Sequence, residues 1–139
     1  MSSQKSFYPL ATRPFMTVPR VGSFHPSPDA TKALDGLRRV IRRAEGIGLL
    51  VGPTGTGKSL LLSCLRERIE GDYAVALLSG ARICTRRGLW QSILSDLGEA
   101  YRGLDEEELR IGLVDRIRGL AATGSGLVVL VDESHTLPR

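Results

Sequence analysis

The residues best suited to chemistry lie between Gly52 and Ser59, where the sequence reads Gly-Pro-Thr-Gly-Thr-Gly-Lys-Ser. This run matches the phosphate-loop pattern G-x-x-x-x-G-K-[ST] at every position. Its glycines permit backbone angles that other residues avoid, so the amides from about Gly55 to Ser59 can turn inward onto phosphate oxygens. We therefore predict that this loop binds the phosphates of a nucleotide.

The side chains of the loop have distinct expected roles. Lys58 would reach the β- and γ-phosphates, and the Ser59 hydroxyl would bind Mg²⁺. The N-terminus of the following helix would add partial positive charge. The predicted nucleotide-binding residues are Gly52, Pro53, Thr54, Gly55, Thr56, Gly57, Lys58, Ser59 and Leu60. The alternative is a glycine-rich turn with an incidental lysine, but an apolar run before the pattern and a helical pattern after it favour the phosphate loop.

Two carboxylates, Asp132 and Glu133, close the apolar run Leu127-Val-Val-Leu-Val131. A carboxylate at the C-terminal end of a parallel strand lies at the edge of the sheet where nucleotides bind. We predict that Asp132 holds Mg²⁺ through a water. Glu133 would polarise the attacking water as general base, which makes Glu133 and Lys58 the predicted catalytic residues. The alternative is that both acids merely end a strand in solvent.

His135 completes the sequence Asp-Glu-Ser-His, which resembles the DExH box of helicases. A nucleic-acid-dependent ATPase or helicase is therefore one alternative function. A plain polar histidine is the other interpretation, since no further helicase motif is visible. His25 is expected to be a surface group or a polar group beside an adenine.

Apolar runs and helical periodicity predict the elements that position these residues. Runs without alternation are typical of parallel strands buried on both faces, and apolar residues three or four apart predict amphipathic helices. The predicted strands cover residues 47–51, 73–78 and 127–131, and the predicted helices cover about 28–44, 58–69, 87–97 and 105–122. Strands that alternate with helices predict an α/β fold with a mostly parallel sheet.

The first 28 residues differ from the rest of the chain. They contain five prolines, which disfavour regular structure, so we expect a proline-rich extended arm over residues 1–28 that packs along the domain surface. Ser27 and Pro28 suit the start of a helix. The length of 139 residues allows one domain and not comfortably two, and residues 29–139 would form the N-terminal, incomplete part of that domain.

Composition sets limits on location and partners. No apolar run approaches the roughly 18 residues needed to span a bilayer, and the N-terminus lacks the apolar core of a signal peptide, so we expect a cytoplasmic protein. Cys64 and Cys84 are expected to be buried thiols in a reducing compartment. The formal net charge of +4 is too small to establish a nucleic-acid partner.

Four arginines, Arg38, Arg39, Arg42 and Arg43, lie opposite the apolar face of the first predicted helix. They could contact the phosphates of DNA or RNA. They could equally be the solvated side of an amphipathic helix. The sequence leaves both interpretations open.

Several segments together resemble the AAA+ ATPases of the general secretion pathway protein A type (ExeA-like), whose relatives include ATPases that assist transposition. The similarity covers nearly the whole chain. It is carried by Phe7-Tyr-Pro-Leu10 with Arg13-Pro-Phe15, by Ala33-Leu-Asp-Gly-Leu37, by Gly46 to Ser59, and by Gly88-Leu-Trp-Gln-Ser-Ile-Leu-Ser-Asp-Leu-Gly98.

This resemblance implies a P-loop NTPase of the AAA+ (ASCE) type, a three-layer α/β sandwich that binds ATP and Mg²⁺. It implies ATP hydrolysis that drives a conformational or assembly step, in secretion or in transposition. A homo-oligomer and a protein client, not identified by the sequence, are the implied partners, and DNA is a possible one.

The sequence departs from the family at three places. Pro9 replaces a usual glycine, and Ser134 stands where relatives commonly have alanine. The chain also ends at Arg139, before the sensor strand, arginine finger and helical lid that follow in AAA+ proteins. We therefore expect residues 1–139 alone to be poorly stable, with apolar edges exposed along 47–51, and to bind nucleotide weakly without hydrolysing it. A non-catalytic nucleotide-binding remnant is the remaining alternative.

Overall fold

The structure, a computed structural model, describes residues 21–79 and 83–134. After a short 3₁₀ turn at Val21–Ser23, the elements in chain order are α1 (Pro28–Arg42), α2 (Lys58–Ile69), β1 (Ala74–Ser79), α3 (Arg86–Asp96), α4 (Glu106–Ala122) and β2 (Leu127–Asp132). No helix in these two ranges is long and apolar enough to cross a membrane. Most of the arm expected over residues 1–28 lies outside the described residues.

Side-chain caps explain where three of the helices begin. Ser27, Thr85 and Asp105 each accept a hydrogen bond from the backbone amide three residues further on. Glu108 completes a capping box in α4, because its carboxylate accepts a bond from the Asp105 amide at 2.7 Å. All four predicted helices are confirmed. The first was predicted to reach about Ala44, but that residue adopts a left-handed φ of 51° beyond the end of α1.

β1 and β2 pair in parallel, with Ala74 opposite Leu127 and Ser79 opposite Asp132. α3 and α4 form the crossover that connects them, as parallel strands require. Because the strands point the same way, Asp132 lies at the carboxyl edge of the sheet. The second and third predicted strands are confirmed, with ends shifted by one residue.

Helices cover both faces of this sheet, which confirms the layered α/β class. On one face, buried residues of α1 and α2 pack against Val75 and Leu130. On the other face, Ile93 of α3 packs with Ala76 and Leu78, and Leu113 of α4 lies against the same cluster. The sequence of α2, which follows the phosphate loop directly, supplies most of the first cluster: Leu61, Leu62, Cys64, Leu65 and Ile69.

The prediction of a first strand over residues 47–51 is wrong. The structure describes this segment and it forms no strand, and Ile47, Leu49 and Val51 are 93%, 77% and 80% exposed. A strand exists only where a neighbour accepts and donates its backbone hydrogen bonds, and no described strand pairs with this one. Gly48 lies against Leu37 of α1, where an added Cβ would come within 3.1 Å of that side chain.

Asp96 at the end of α3 bonds to the edge of β1 that does not pair with β2. Its Oδ2 atom accepts a hydrogen bond from the Leu77 amide at 2.8 Å. The same oxygen lies 3.2 Å from a guanidinium nitrogen of Arg66 on α2. One carboxylate therefore joins the strand to helices from both layers.

The two cysteines differ in exposure, which corrects the expectation that both are buried. Cys64 is 2% exposed within α2, whereas Cys84 is exposed just before α3. Cys84 lies in the turn that leads into the Thr85 cap, where few side chains cover it. Neither cysteine forms a disulfide within the described part of the chain.

We predict that the two thiols react at very different rates. Burial raises the pKa of the Cys64 thiol, so less of the reactive thiolate is present, and the same burial blocks the reagent. Ellman's reagent should modify about one thiol per chain rapidly, and the second only after unfolding in guanidinium chloride. Cys84→Ser should remove the rapid phase and Cys64→Ser should leave it. A single uniform rate for both thiols would contradict the burial described above.

Candidate functional site

The loop between residues 52 and 57 contains two glycines in a left-handed conformation. Gly55 and Gly57 both adopt a φ of 83°, a left-handed conformation that other residues seldom accept. Gly57 is also the N-cap of α2 and offers no side chain to the helix. The amides of Gly55, Thr56, Gly57, Lys58 and Ser59 find no hydrogen-bond acceptor among the described residues. This group of open amides, with the helix dipole behind it, suits an anion.

Lys58 lies folded over the same loop. Its Nζ atom donates hydrogen bonds to the carbonyl oxygens of Gly52 at 2.9 Å and Pro53 at 2.7 Å. The Thr56 hydroxyl also donates to the Pro53 carbonyl at 2.8 Å. Neutral carbonyl partners therefore hold the ammonium group at the loop.

Sequence reasoning missed this internal support of the loop. Neither the two carbonyl partners of Lys58 nor the role of the Thr56 hydroxyl was anticipated. A signal existed for the threonine only, since Ser and Thr hydroxyls often bond to backbone groups a few residues away. The carbonyl contacts depend on how the chain folds back and have no sequence signature.

The acidic end of β2 has an unusual backbone. The half-buried Asp132 carboxylate accepts a hydrogen bond from the Glu133 amide at 2.9 Å. Glu133 is exposed and has a φ of 54°, which is uncommon for a residue other than glycine. This residue follows directly after Asp132, the last residue of β2. Backbone strain of this kind is concentrated at functional sites.

A single cavity of about 840 Å³ connects the loop to the acidic end of β2. Its walls include residues 46–52 and 126–134, and Lys58 lines it together with Asp132 and Glu133. Gly52, Lys58, Asp132 and Glu133 thus line one cavity. The remaining predicted residues do not line this cavity: Pro53, Thr54, Gly55, Thr56, Gly57, Ser59 and Leu60.

The other predicted positions have simpler surroundings. Ser59 is exposed on the first turn of α2, and the half-buried Leu60 packs against the core on the side of α1 and α2. His25 is exposed, which agrees with a surface group. His135 lies outside the described residues.

The chemistry of these groups fits a nucleotide with Mg²⁺. Open amides and one ammonium group match the negative charge of a polyphosphate. The Ser59 hydroxyl and the Asp132 carboxylate supply the oxygen ligands that Mg²⁺ prefers, and Mg²⁺ in nucleotide sites takes few protein ligands because phosphates and waters complete its shell.

Comparison with known proteins decides the family. The profile of the family described as AAA domain matches residues 41–139, which include the loop and the acidic strand end. The chain belongs to this AAA domain family. Its members are P-loop NTPases, so the predicted fold class is confirmed and the chain is placed among nucleotide-binding ATPases.

The relatives of this AAA domain include a general secretion pathway protein and two phosphonates import ATP-binding proteins. General secretion pathway protein A of Aeromonas hydrophila is 29% identical over 134 residues, 95% of this chain and 24% of that protein. Phosphonates import ATP-binding protein PhnC of Nitratidesulfovibrio vulgaris is 35% identical over 68 residues, 49% of this chain and 23% of that protein. PhnC 2 of Halalkalibacterium halodurans is 34% identical over 61 residues, 44% of this chain and 25% of that protein.

These matches confirm the ExeA-like resemblance recognised from the sequence. This AAA domain spans about a quarter of the length of the curated relatives it matches. No solved structure gives a significant match.

Proposed function

We propose that this AAA domain binds ATP with Mg²⁺ and hydrolyses it at the cavity between the phosphate loop and the end of β2. The observation that carries the proposal is that Gly52 and Lys58 line the same cavity as Asp132 and Glu133. Phosphoryl transfer to water requires a cation that binds the phosphates and acidic groups that hold the metal and orient the water. Lys58 supplies the cation at the phosphate loop, and Asp132 and Glu133 supply the carboxylates at the strand end.

Each group has a separate task in this proposal. Lys58 leaves the Gly52 and Pro53 carbonyls to bind the β- and γ-phosphates, and the open amides from Gly55 to Ser59 hold the phosphate oxygens. The Ser59 hydroxyl and the Asp132 carboxylate would hold Mg²⁺. Bound Mg²⁺ supplies neutralisation of the charge on the phosphates. Glu133 accepts a proton from the attacking water as general base.

The proposed role of hydrolysis is to drive a conformational or assembly step in a cytoplasmic homo-oligomer that acts on a protein client. The similarity to general secretion pathway protein A supports a secretion-type accessory ATPase, and a transposition-type one is the other form of the same proposal. Since the chain spans 24% of that relative, we assign hydrolysis to a longer polypeptide that carries these residues.

Glu133→Gln tests the proposed chemistry in that longer polypeptide. The amide cannot take a proton from water, so we expect phosphate release to fall by about 10²- to 10⁴-fold, the range typical of general-base loss. ATP binding, measured by isothermal titration calorimetry with Mg²⁺, should persist because the loop is untouched.

Glu106→Gln is the matched control, since Glu106 is an exposed residue in the first turn of α4. It makes the same chemical change away from the cavity and should leave turnover intact. Wild-type turnover in Glu133→Gln would refute the role of this carboxylate, and absence of ATP binding in the wild type would refute the proposal as a whole.

A further inference from the structure

α1 presents a strongly basic face to solvent. Its opposite face is buried, with Leu34 only 1% exposed and Leu37 and Ile41 packed against the same core. The basic residues of α1 and its C-cap, which we call the basic face, are Lys32, Arg38, Arg39, Arg42 and Arg43. Lys32, Arg39, Arg42 and Arg43 are exposed, and Arg38 is half-buried.

Acidic residues neutralise only part of this charge. Among the described residues, Arg43 forms an ion pair with Glu45 at 3.3 Å, and Arg38, Arg39 and Arg42 form none. Asp35 lies three and four residues before Arg38 and Arg39, yet no bond joins it to either. By contrast, arginines on α2 and α4 are paired with nearby acids.

The spacing of the arginines opposes helix stability. Arg38 and Arg42, and likewise Arg39 and Arg43, are separated by four residues, a distance at which like charges repel each other. The helix dipole favours cations in the last turn, but this effect fades within that turn and does not account for the whole cluster. A polyanion bound along the helix would remove the repulsion.

The type of polyanion follows from what the face contains. Arginine guanidinium groups form paired hydrogen bonds with phosphate oxygens. The α1 sequence has no aromatic residue for stacking on unpaired bases and no Asn or Gln for reading base edges. The stretch from Lys32 to Arg43 is about 16 Å long. A DNA major groove is roughly 12 Å wide, so this stretch is long enough to reach the phosphates on both sides of the groove. A membrane surface fits less well, because the apolar face of α1 is already buried in the core.

We propose that the basic face of α1 binds the phosphate backbone of duplex DNA without reading its sequence. This contact does not depend on ATP hydrolysis. The opposite face of α1 packs in the core, and the residues of the basic face do not line the cavity proposed for ATP. α1 leads through residues 43–51 into the phosphate loop, so DNA would lie one short segment away from the nucleotide.

Fluorescence anisotropy with a labelled 20-base-pair duplex tests this proposal across salt concentrations from 50 to 200 mM. Each phosphate contact contributes about −0.9 to the slope of log affinity against log salt for duplex DNA. Replacing two arginines, Arg39→Gln with Arg42→Gln, should make the slope shallower by about 1.8 and weaken binding at 50 mM salt at least tenfold. Arg39→Lys with Arg42→Lys should keep most of the wild-type slope, because the charges remain.

The matched control is Arg110→Gln with Arg118→Gln on α4, which removes two exposed arginines that face nearby acids. Circular dichroism should show equal helix content in all variants. The proposal is overturned if the wild type does not bind the duplex at 50 mM salt, or if the control loses as much affinity as the α1 variant. Tighter binding to single-stranded DNA, duplex RNA or phosphatidylserine vesicles than to duplex DNA would also overturn it.

Discussion

Lys58→Ala should weaken ATP binding by about 10- to 100-fold, the loss expected when a charged hydrogen-bonding partner worth about 1.5–3 kcal/mol is removed. The phosphates lose their ammonium group. The contacts of Lys58 with the Gly52 and Pro53 carbonyls, at 2.9 and 2.7 Å, belong to the nucleotide-free loop and do not add to this loss. Turnover should fall further than binding, because charge stabilisation matters most in the transition state.

Isothermal titration calorimetry on the longer polypeptide measures the binding effect directly, and phosphate release measures the catalytic one. Lys32→Ala is the control, since it removes one exposed lysine from α1 and leaves the loop unchanged. Equal ATP affinity in wild type and Lys58→Ala would mean that the loop is a turn with an incidental lysine. Lys58→Arg should recover little, since a planar fork does not reproduce a compact ammonium group.

Leu65→Ala should cost about 2–5 kcal/mol of unfolding free energy, the usual cost of truncating a fully buried leucine. Leu65 is 1% exposed on α2 and belongs to the cluster that joins α1, α2 and the sheet. This is a large share of the roughly 5–15 kcal/mol that stabilises an ordinary domain. The loss should be a larger fraction of the unfolding free energy here. Ile47, Leu49 and Val51 remain exposed and so do not contribute their burial to that free energy.

Urea unfolding followed by circular dichroism measures this loss as a lower midpoint. Ile117→Ala on α4 is the matched control, since Ile117 is 43% exposed and its truncation should change stability by about 0.5 kcal/mol. Equal midpoints for the two variants would contradict the packing described for α2. A low midpoint for the wild type itself would agree with the poor stability expected of these residues alone.

Local signals predicted most of the secondary structure. Ser27 was predicted from the sequence to begin a helix. Thr85 and the pair Asp105 and Glu108, which the structure adds, are local caps of the same kind, because caps act within three residues. The phosphate-loop pattern likewise depends on consecutive residues. Gly55 and Gly57 adopt the left-handed angles that the pattern requires.

Features that depend on distant partners could not be predicted in the same way. Residues 47–51 have the composition of a buried strand, but pairing depends on a neighbour elsewhere in the chain. The exposure of Cys84 depends on how the turn before α3 lies against the core. The left-handed φ of Glu133 had no signal, since glutamate rarely adopts it.

The contact between Asp96 and the Leu77 amide makes the two edges of the two-stranded sheet unequal for the addition of a further strand. That carboxylate occupies a backbone donor on the free side of β1, and its ion pair with Arg66 holds it there. An incoming chain would have to displace a charged group to add on this side. Addition of a strand is therefore less hindered beside β2, at the edge of the sheet that Asp96 does not contact.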